Sequence, residues 1–172
     1  EEYGIRSIVE HLVSKGHQRF AFLGDDLVGN RLKYLRRYLE QKGIELKDEY
    51  VVLSDKRNGE CGYECMQRLL ALDPRPTAVL TGYDTIALGA YRAITEHGLR
   101  VPEDIALAGF DDADFCEFLP QSLTSVNCDP EAQCRVAAAI LLSRIHEPGE
   151  KFTQVAAITP RLMVRESTAG RD

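Results

Sequence analysis

The chain has 172 residues, enough for a single domain with a full core, and its 44% hydrophobic and 28% charged residues are ordinary for a globular protein. The formal net charge is −6 and no block of Lys or Arg is present, which argues against a surface that binds nucleic acid directly. There is no run of about 18 apolar residues, so the sequence predicts no transmembrane helix.

Helix and strand signals alternate through most of the chain. The first helix carries Ile5 and Leu12 at helical spacing, and Gly16 follows as a typical residue just past a helix C-terminus. Short apolar strands, each followed or preceded by an amphipathic helix, are predicted at residues 20–23, 51–53, 78–80 and 105–108. Nearly continuous apolar strands separated by helices are typical of a parallel sheet covered on both faces through right-handed crossovers. We therefore predict a three-layer α/β fold.

Acidic residues follow each of the four predicted strands. Asp25 and Asp55 come after the first two, Tyr83 and Asp84 after the third, and Asp111 after the fourth. In an open parallel sheet, the carboxyl ends of the strands meet at one edge, and ligands bind in the crevice outside it. The sequence therefore predicts a polar ligand site at this edge, and we also expect Asp84 or Thr85 to cap the helix that begins here.

The pattern changes after Pro120. The sequence predicts, in order, a strand at 123–126, an Ala- and Leu-rich helix at 131–145, a turn at 148–151, and strands at 154–158 and 162–164. This part does not continue the alternating series, and we expect it to leave the lobe and return. The apolar residues of its helix recur at helical spacing and need a covering surface; they are Val136, Ala137, Ile140, Leu141 and Ile145.

The five cysteines are predicted to be free thiols. Their odd number and uneven spacing in a domain of ordinary size favour a reducing compartment over a disulfide framework. Cys61 and Cys65 lie one helical turn apart, but a zinc site would need two more ligands, and none of the four histidines has a suitable spacing. We expect buried structural cysteines, no metal and no cofactor.

Taken together, the sequence resembles the effector-binding domain of the lactose-repressor (LacI/GalR) family of bacterial transcription regulators. The resembling stretches span nearly the whole chain in the family's order. They are His11-Leu-Val-Ser-Lys-Gly-His17, Arg31-Leu32, Gly43-Ile44, Pro76-Thr-Ala-Val79, Tyr83-Asp84, Ala87-Leu-Gly-Ala90, Gly98-Leu-Arg-Val-Pro-Glu-Asp-Ile105, Gly109-Phe-Asp-Asp112, Pro120, Leu123-Thr124 and Arg165-Glu-Ser-Thr168.

The resemblance implies a Rossmann-like lobe of the periplasmic-binding-protein-like I fold, one of two lobes that clamp a small-molecule effector. Residues 1–122 would form the C-terminal effector-binding lobe, residues 123–152 a crossing segment that belongs to the other lobe, and residues 153–172 the return strands and tail. It further implies a cytoplasmic homodimer that does not bind membranes. Operator DNA would be bound only through an N-terminal helix-turn-helix, which this chain lacks together with most of the first lobe.

Four site residues follow from the resemblance. Arg31 occupies the position of the family's effector-contacting arginine, and Asp111 matches the effector-binding acid of the Gly-Phe-Asp-Asp motif. Tyr83 stands where the family most often has Asn, which replaces an amide with a phenol. Arg57 falls on a pocket position that holds an aromatic residue in some relatives. The implied function is sensing of a small polar effector, a sugar or sugar derivative, by a transcriptional repressor.

Two other classes of protein fit parts of the pattern. Acidic residues at strand ends also build Mg²⁺-dependent phosphotransfer sites. Such an enzyme would also need a nucleophile and a Lys or Thr set around the pocket, whereas Arg31 with Asp111 suits a polar ligand better, and no phosphate-cradling Gly loop is present. We therefore do not expect an enzyme. A secreted or periplasmic sugar-binding receptor would share the lobes, but the cysteines and the ending Arg165-Glu-Ser-Thr168 favour the regulator.

Overall fold

A computed structural model of the chain describes residues 1–146 and 153–169. Its α-helices are α1 Glu2–Ser14, α2 Gly29–Gln41, α3 Asn58–Leu70, α4 Asp84–Glu96 and α5 Pro130–His146. Its strands are β1 Phe20–Gly24, β2 Val51–Leu53, β3 Ala78–Thr81, β4 Ala106–Ala108, β5 Ser125–Asn127 and β6 Arg161–Met163. None of the helices in these residues is both long and apolar enough to span a membrane.

The first four strands form one parallel sheet in the order β2-β1-β3-β4. The chain crosses towards β2 through α2 and back towards β3 and β4 through α3 and α4. Right-handed crossovers in opposite directions place their helices on opposite faces of a sheet. In agreement, α1 packs against α2, and α3 packs against α4. The predicted three-layer α/β fold is confirmed.

The two central strands are buried along their whole length, because helices cover both of their faces. Every residue of β1 and β3 is buried, and the largest side chains there are Phe20 and Phe22. Burial of such side chains contributes roughly 1.5–3 kcal/mol each. The core thus packs the sheet between two helical layers and fixes the positions of the strand ends.

Two glycines bring α3 and α4 into close contact. A Cβ atom added to Gly62 would lie 1.8 Å from the carbonyl oxygen of Ile86, and one added to Gly89 would lie 1.9 Å from that of Gly59. No side chain can occupy either position without separating the helices.

The part of the chain after Pro120 differs from the prediction in detail. The strand predicted at 123–126 is β5, and the one predicted at 162–164 is β6; the two pair antiparallel, and isolated bridges place the β5 segment beside β4. The strand predicted at 154–158 is wrong, because residues 153–160 have no regular secondary structure and no described strand pairs with them. The predicted turn at 148–151 lies outside the described residues.

The predicted helix at 131–145 is confirmed as α5, but no residue of α5 is buried. Leu141 and Ile145 have 61% and 63% of their surfaces exposed. A helix with so many apolar residues is ordinarily packed against other parts of a protein. The described part of the chain leaves α5 uncovered.

Candidate functional site

The parallel register brings the ends of all four strands to one edge of the sheet. Asp25 follows β1, Asp55 follows β2, Tyr83 follows β3, and Asp111 lies in the loop after β4. These are the four strand ends at which the sequence predicts a ligand site. Side chains from loops far apart in sequence meet here.

Arg31 and Asp111 are in direct contact at this edge. Arg31 lies in the first turn of α2, and its Nη2 donates to Asp111 Oδ1 at 3.2 Å. Its Nη1 donates to the carbonyl oxygen of Gly82, its Nε donates to Glu1 Oε1 at 3.1 Å, and its guanidinium stacks on the ring of Phe110 at 3.9 Å from the centroid. The Arg31 side chain is only 14% exposed, so its orientation is fixed by packing as well as by charge.

Asp111 combines an exposed carboxylate with a constrained backbone. Its side chain is 53% exposed, and its φ is +108°, in a region that non-glycine residues rarely occupy. Partial burial raises the pKa of the Asp111 carboxyl above its ordinary value, and the neighbouring Arg31 opposes that rise. The carboxylate thus remains open to a ligand on the side away from Arg31.

Asp25 is the hub of the other half of the site; the sequence predicts its place at this edge but not its role there. Its buried carboxylate accepts hydrogen bonds from the Tyr83 hydroxyl at 2.7 Å, from Arg57 Nη1 at 3.3 Å and from the backbone N–H of Leu27 at 3.0 Å. These contacts join the loops after β1, β2 and β3. The only sequence signal for Asp25 was its place directly after a buried strand.

The hydroxyl group of Tyr83 is already engaged within the protein. It donates to Asp25 and accepts the backbone N–H of Asn58 at 3.3 Å. Burial, together with the hydrogen bond to the Asp25 carboxylate, raises the pKa of the Tyr83 phenol. The ring of Tyr83, rather than its hydroxyl, is the part left to face a ligand.

Arg57 lies at the outer rim, just before α3. Its guanidinium is about half exposed and pairs with Asp25 and, at 3.5 Å, with Asp26 Oδ1. The structure therefore places the four predicted site residues in two pairs: Arg31 contacts Asp111 directly, and Arg57 and Tyr83 share Asp25 as a partner. Gly82, which accepts from Arg31 and precedes Tyr83, connects the pairs.

Asp84 does not cap α4, contrary to the sequence-based expectation. The residue is already helical and makes no capping bond. Instead its buried carboxylate accepts from the hydroxyl of Ser125 at 2.6 Å and from the backbone N–H of Ala113 at 2.8 Å. Through these hydrogen bonds Asp84 connects α4 to the loop after β4 and to strand β5. Thr85 bonds Asn58 Oδ1 and does not cap the helix either.

The cysteines are free, as predicted, and Cys61, Cys65 and Cys116 are buried. Burial was predicted wrongly for Cys134, which lies exposed on α5, and Cys128 is only partly buried. Cys61 donates to the carbonyl oxygen of Gly24 at 3.4 Å. Within residues 1–146 and 153–169, no group of three or more His, Cys, Asp or Glu side chains is arranged to hold a metal ion.

Comparisons with known proteins match this architecture. The family model described as a periplasmic binding protein-like domain matches residues 9–168. A transcriptional repressor of Mannheimia succiniciproducens, named PurR and of the helix-turn-helix type, is 36% identical over 163 residues, which cover 92% of this chain and 48% of the repressor. The ribose operon repressor of Haemophilus influenzae is 34% identical over 163 residues, covering 91% of this chain and 48% of that protein.

Among solved structures, the lac repressor dimer bound to operator and the anti-inducer ONPF superposes with a TM-score of 0.84 at 32% identity. The match covers 97% of this chain and 50% of the repressor chain. The chain thus spans about half the length of the curated relatives that it matches.

Proposed function

This chain belongs to the family of periplasmic-binding-protein-like domains, in the form carried by LacI-family regulators, and we propose that it is the effector-sensing part of a bacterial transcriptional repressor. Its activity is binding, without catalysis. The effector is a small polar molecule, a sugar or sugar derivative, and Arg31 and Asp111 hold it.

The contact between Arg31 and Asp111 carries this proposal. Within the described residues, Arg31 uses three N–H groups and Asp111 one oxygen atom, so each retains hydrogen-bonding capacity. Guanidinium donors beside carboxylate acceptors are complementary to neighbouring hydroxyl groups of a sugar, each of which both donates and accepts. Phe110 and Gly82 hold the guanidinium in place before a ligand arrives, which lowers the entropic cost of binding.

Tyr83 and Arg57 border the same effector site in this proposal. The Asp25 hub fixes both side chains, so the ring of Tyr83 forms a wall on which a sugar ring can pack. Arg57 contributes from the rim, where it remains half exposed. These two residues shape the site, whereas Arg31 and Asp111 bind the effector.

The rest of the clamp lies in a second lobe. Residues 1–122 form the body of one lobe, on which β5 also packs, and the chain crosses to the other lobe within residues 123–152 and returns within residues 153–172. The uncovered apolar surface of α5 supports this division, because burial against another lobe would bring about 25 cal/mol per Å². The relatives' greater length leaves room for that lobe and for a helix-turn-helix that contacts operator DNA in a cytoplasmic protein.

The regulator acts as a homodimer. The structural relative in contact with operator is itself a dimer. On this chain, Leu88 of α4 and Phe118 are 43% and 83% exposed, and a hydrogen bond from Tyr91 to Gln121 ties their two segments together. Exposed large apolar side chains on one face are typical of an interface between subunits.

A thermal-shift screen of full-length protein against sugars and nucleobases tests the function. A ligand at 100 times its Kd stabilises the folded state by about 2.7 kcal/mol, which is visible as a higher melting temperature. We expect a sugar to give such a shift and also to change operator affinity in a mobility-shift assay. A sugar that binds without any effect on DNA binding would identify a receptor instead of a regulator.

A further inference from the structure

Asp111 and Asp112 are neighbours with opposite surroundings. The Asp111 carboxylate is exposed and faces Arg31, whereas the side chain of Asp112 is 8% exposed. Both residues have positive φ, +108° and +57°, although neither is glycine. Backbone in this region costs on the order of 1–3 kcal/mol per residue and persists only where surrounding contacts impose it.

Asp112 supplies those contacts through its buried carboxylate. Arg165 Nη1 donates to Asp112 Oδ1 at 2.7 Å, and Asn127 Nδ2 donates to Asp112 Oδ2 at 2.8 Å. The backbone N–H of Asp112 donates to the Ser125 hydroxyl at 3.1 Å, and that of Asp111 donates to the carbonyl oxygen of Val126 at 2.9 Å. The Asp112 carboxylate and the N–H groups of both residues thus bind partners on β5 and after β6, whereas the Asp111 carboxylate faces Arg31.

The partners of Asp112 all belong to the segments that run to and from α5. Ser125 and Asn127 lie on β5, which leads into α5, and Arg165 follows β6, on which the chain returns. Arg165 is fixed in turn, because its Nη1 also donates to the carbonyl oxygen of Leu123 at 2.9 Å and its backbone N–H donates to Thr124 Oγ1 at 2.8 Å. A shift of β5 relative to β6 must therefore change the surroundings of Asp112.

We propose that Asp112, held by Arg165 and Asn127, is a positioning residue that sets the Asp111 carboxylate against Arg31 and couples it to the β5–β6 strand pair. This inference rests on the proposed function for its biological meaning, since Asp111 contacts the effector there. Movement of the crossing strands then alters the effector site, and by reciprocity an occupied site biases the position of those strands.

A titration without any ligand tests the positioning role. The carboxyl resonance of Asp111 is followed by ¹³C NMR against pH in the chain and in Arg31→Gln. Loss of the nearby positive charge raises the pKa of Asp111, and the size of that rise measures how closely the two side chains are held. In an Asp112→Asn background, which keeps the side-chain shape but loses the charge, we expect the rise to fall to less than half.

A second variant and a control separate positioning from folding. Arg165→Lys keeps the positive charge, and with it the buried ion pair, but loses the planar guanidinium that binds two partners at once. This variant should also reduce the rise in the pKa of Asp111. Glu117→Gln removes the negative charge of another partner of Arg165, at 3.2 Å on the exposed side. This control should leave the rise in the pKa of Asp111 unchanged. A rise of full size in both Asp112→Asn and Arg165→Lys would overturn the positioning role. That outcome would leave effector binding by Arg31 and Asp111 intact, because calorimetry measures it separately.

Discussion

Polar side chains at the strand ends bind mainly to one another. Burial decides which of them hold loops together and which remain open to a ligand. Asp25 and Asp84 are buried and hold loops together, whereas Asp111 retains an open carboxylate. Three acids that look alike in sequence therefore have different roles. The difference comes from partners more than 25 residues away along the chain, such as Ser125 for Asp84 and Tyr83 for Asp25.

Asp84 should make folding stability depend on pH. Burial raises the pKa of its carboxyl in the folded state above the ordinary value of 3.8. The folded state therefore binds this proton more tightly, and the associated stability is present below the ordinary pKa and is lost as the pH rises through the raised one. Asp84→Asn keeps the shape without this titration.

Denaturant unfolding of both chains at a series of pH values checks this expectation. As the pH rises from about 4 to 7, the free energy of unfolding of Asp84→Asn should increase relative to that of the native chain. A difference that stays constant across this range would show that Asp84 does not titrate as the burial implies.

Sequence reasoning identified residues with a recognisable motif and missed those defined by distant contacts. Arg31 and Asp111 could be selected from a resemblance, and they do meet in the structure. The hub role of Asp25 and the stacking of Phe110 under Arg31 depend on which loops meet at the edge, and that follows only from the strand order. The expected cap at Asp84 failed because burial offered its carboxylate better partners.

Among the elements, the contact between α3 and α4 is the tightest constraint. Gly62 and Gly89 let the two backbones meet, and this fixes the start of each helix beside the site. Arg57 precedes α3, and Tyr83 precedes α4. The spacing of the glycines does not indicate this contact, because the sequence alone does not show that the two helices pack side by side.

Gly89→Ala should separate these helices. The added methyl group would lie 1.9 Å from the carbonyl oxygen of Gly59, which is backbone and cannot rotate away. Overpacking of this kind costs about 1–3 kcal/mol. Gly59→Ala is the matched control, because its Cβ would have no neighbour closer than 3.9 Å and alanine favours a helix. Chemical denaturation of both variants gives the comparison, and equal stabilities would contradict the close approach.

The elements after Pro120 show where the spacing of apolar residues is insufficient to predict secondary structure. The apolar residues of α5 predicted a helix correctly, since helical hydrogen bonds are local. The strand expected at 154–158 did not form, because a strand needs a neighbour and none of the described strands lies alongside. Local patterns predict helices better than they predict strands at the edge of a lobe.

At the scale of the whole molecule, a well-packed lobe carries the helix α5, which has no buried residue within the described part of the chain. The sheet and its four helices enclose a continuous core, while α5 contributes no buried residue. Leu141, Leu142 and Ile145 together expose enough apolar surface to cost several kcal/mol if it stays in water. We propose that the other lobe covers this surface in the complete regulator.

For the chain of 172 residues, we expect α5 to be covered by a second copy. Light scattering at micromolar concentration should give a mass above that of the monomer. The double variant Leu141→Gln, Ile145→Gln should give a lower mass. Leu27→Gln is the control, because Leu27 is 69% exposed but belongs to the loop between β1 and α2 and not to α5. A clean monomer whose α5 amides exchange slowly would show that the lobe covers its own helix.

Calorimetry with the sugar identified by the screen tests the central claim, that Arg31 and Asp111 bind the effector. Loss of a hydrogen bond to a charged partner costs about 1.5–3 kcal/mol. Arg31→Ala and Asp111→Ala in the full-length protein should therefore each raise the Kd by about tenfold or more. Arg36→Ala, which removes an exposed arginine of α2 paired with Asp48, should leave it unchanged. Native affinity in both Arg31→Ala and Asp111→Ala would place the effector elsewhere and contradict the account.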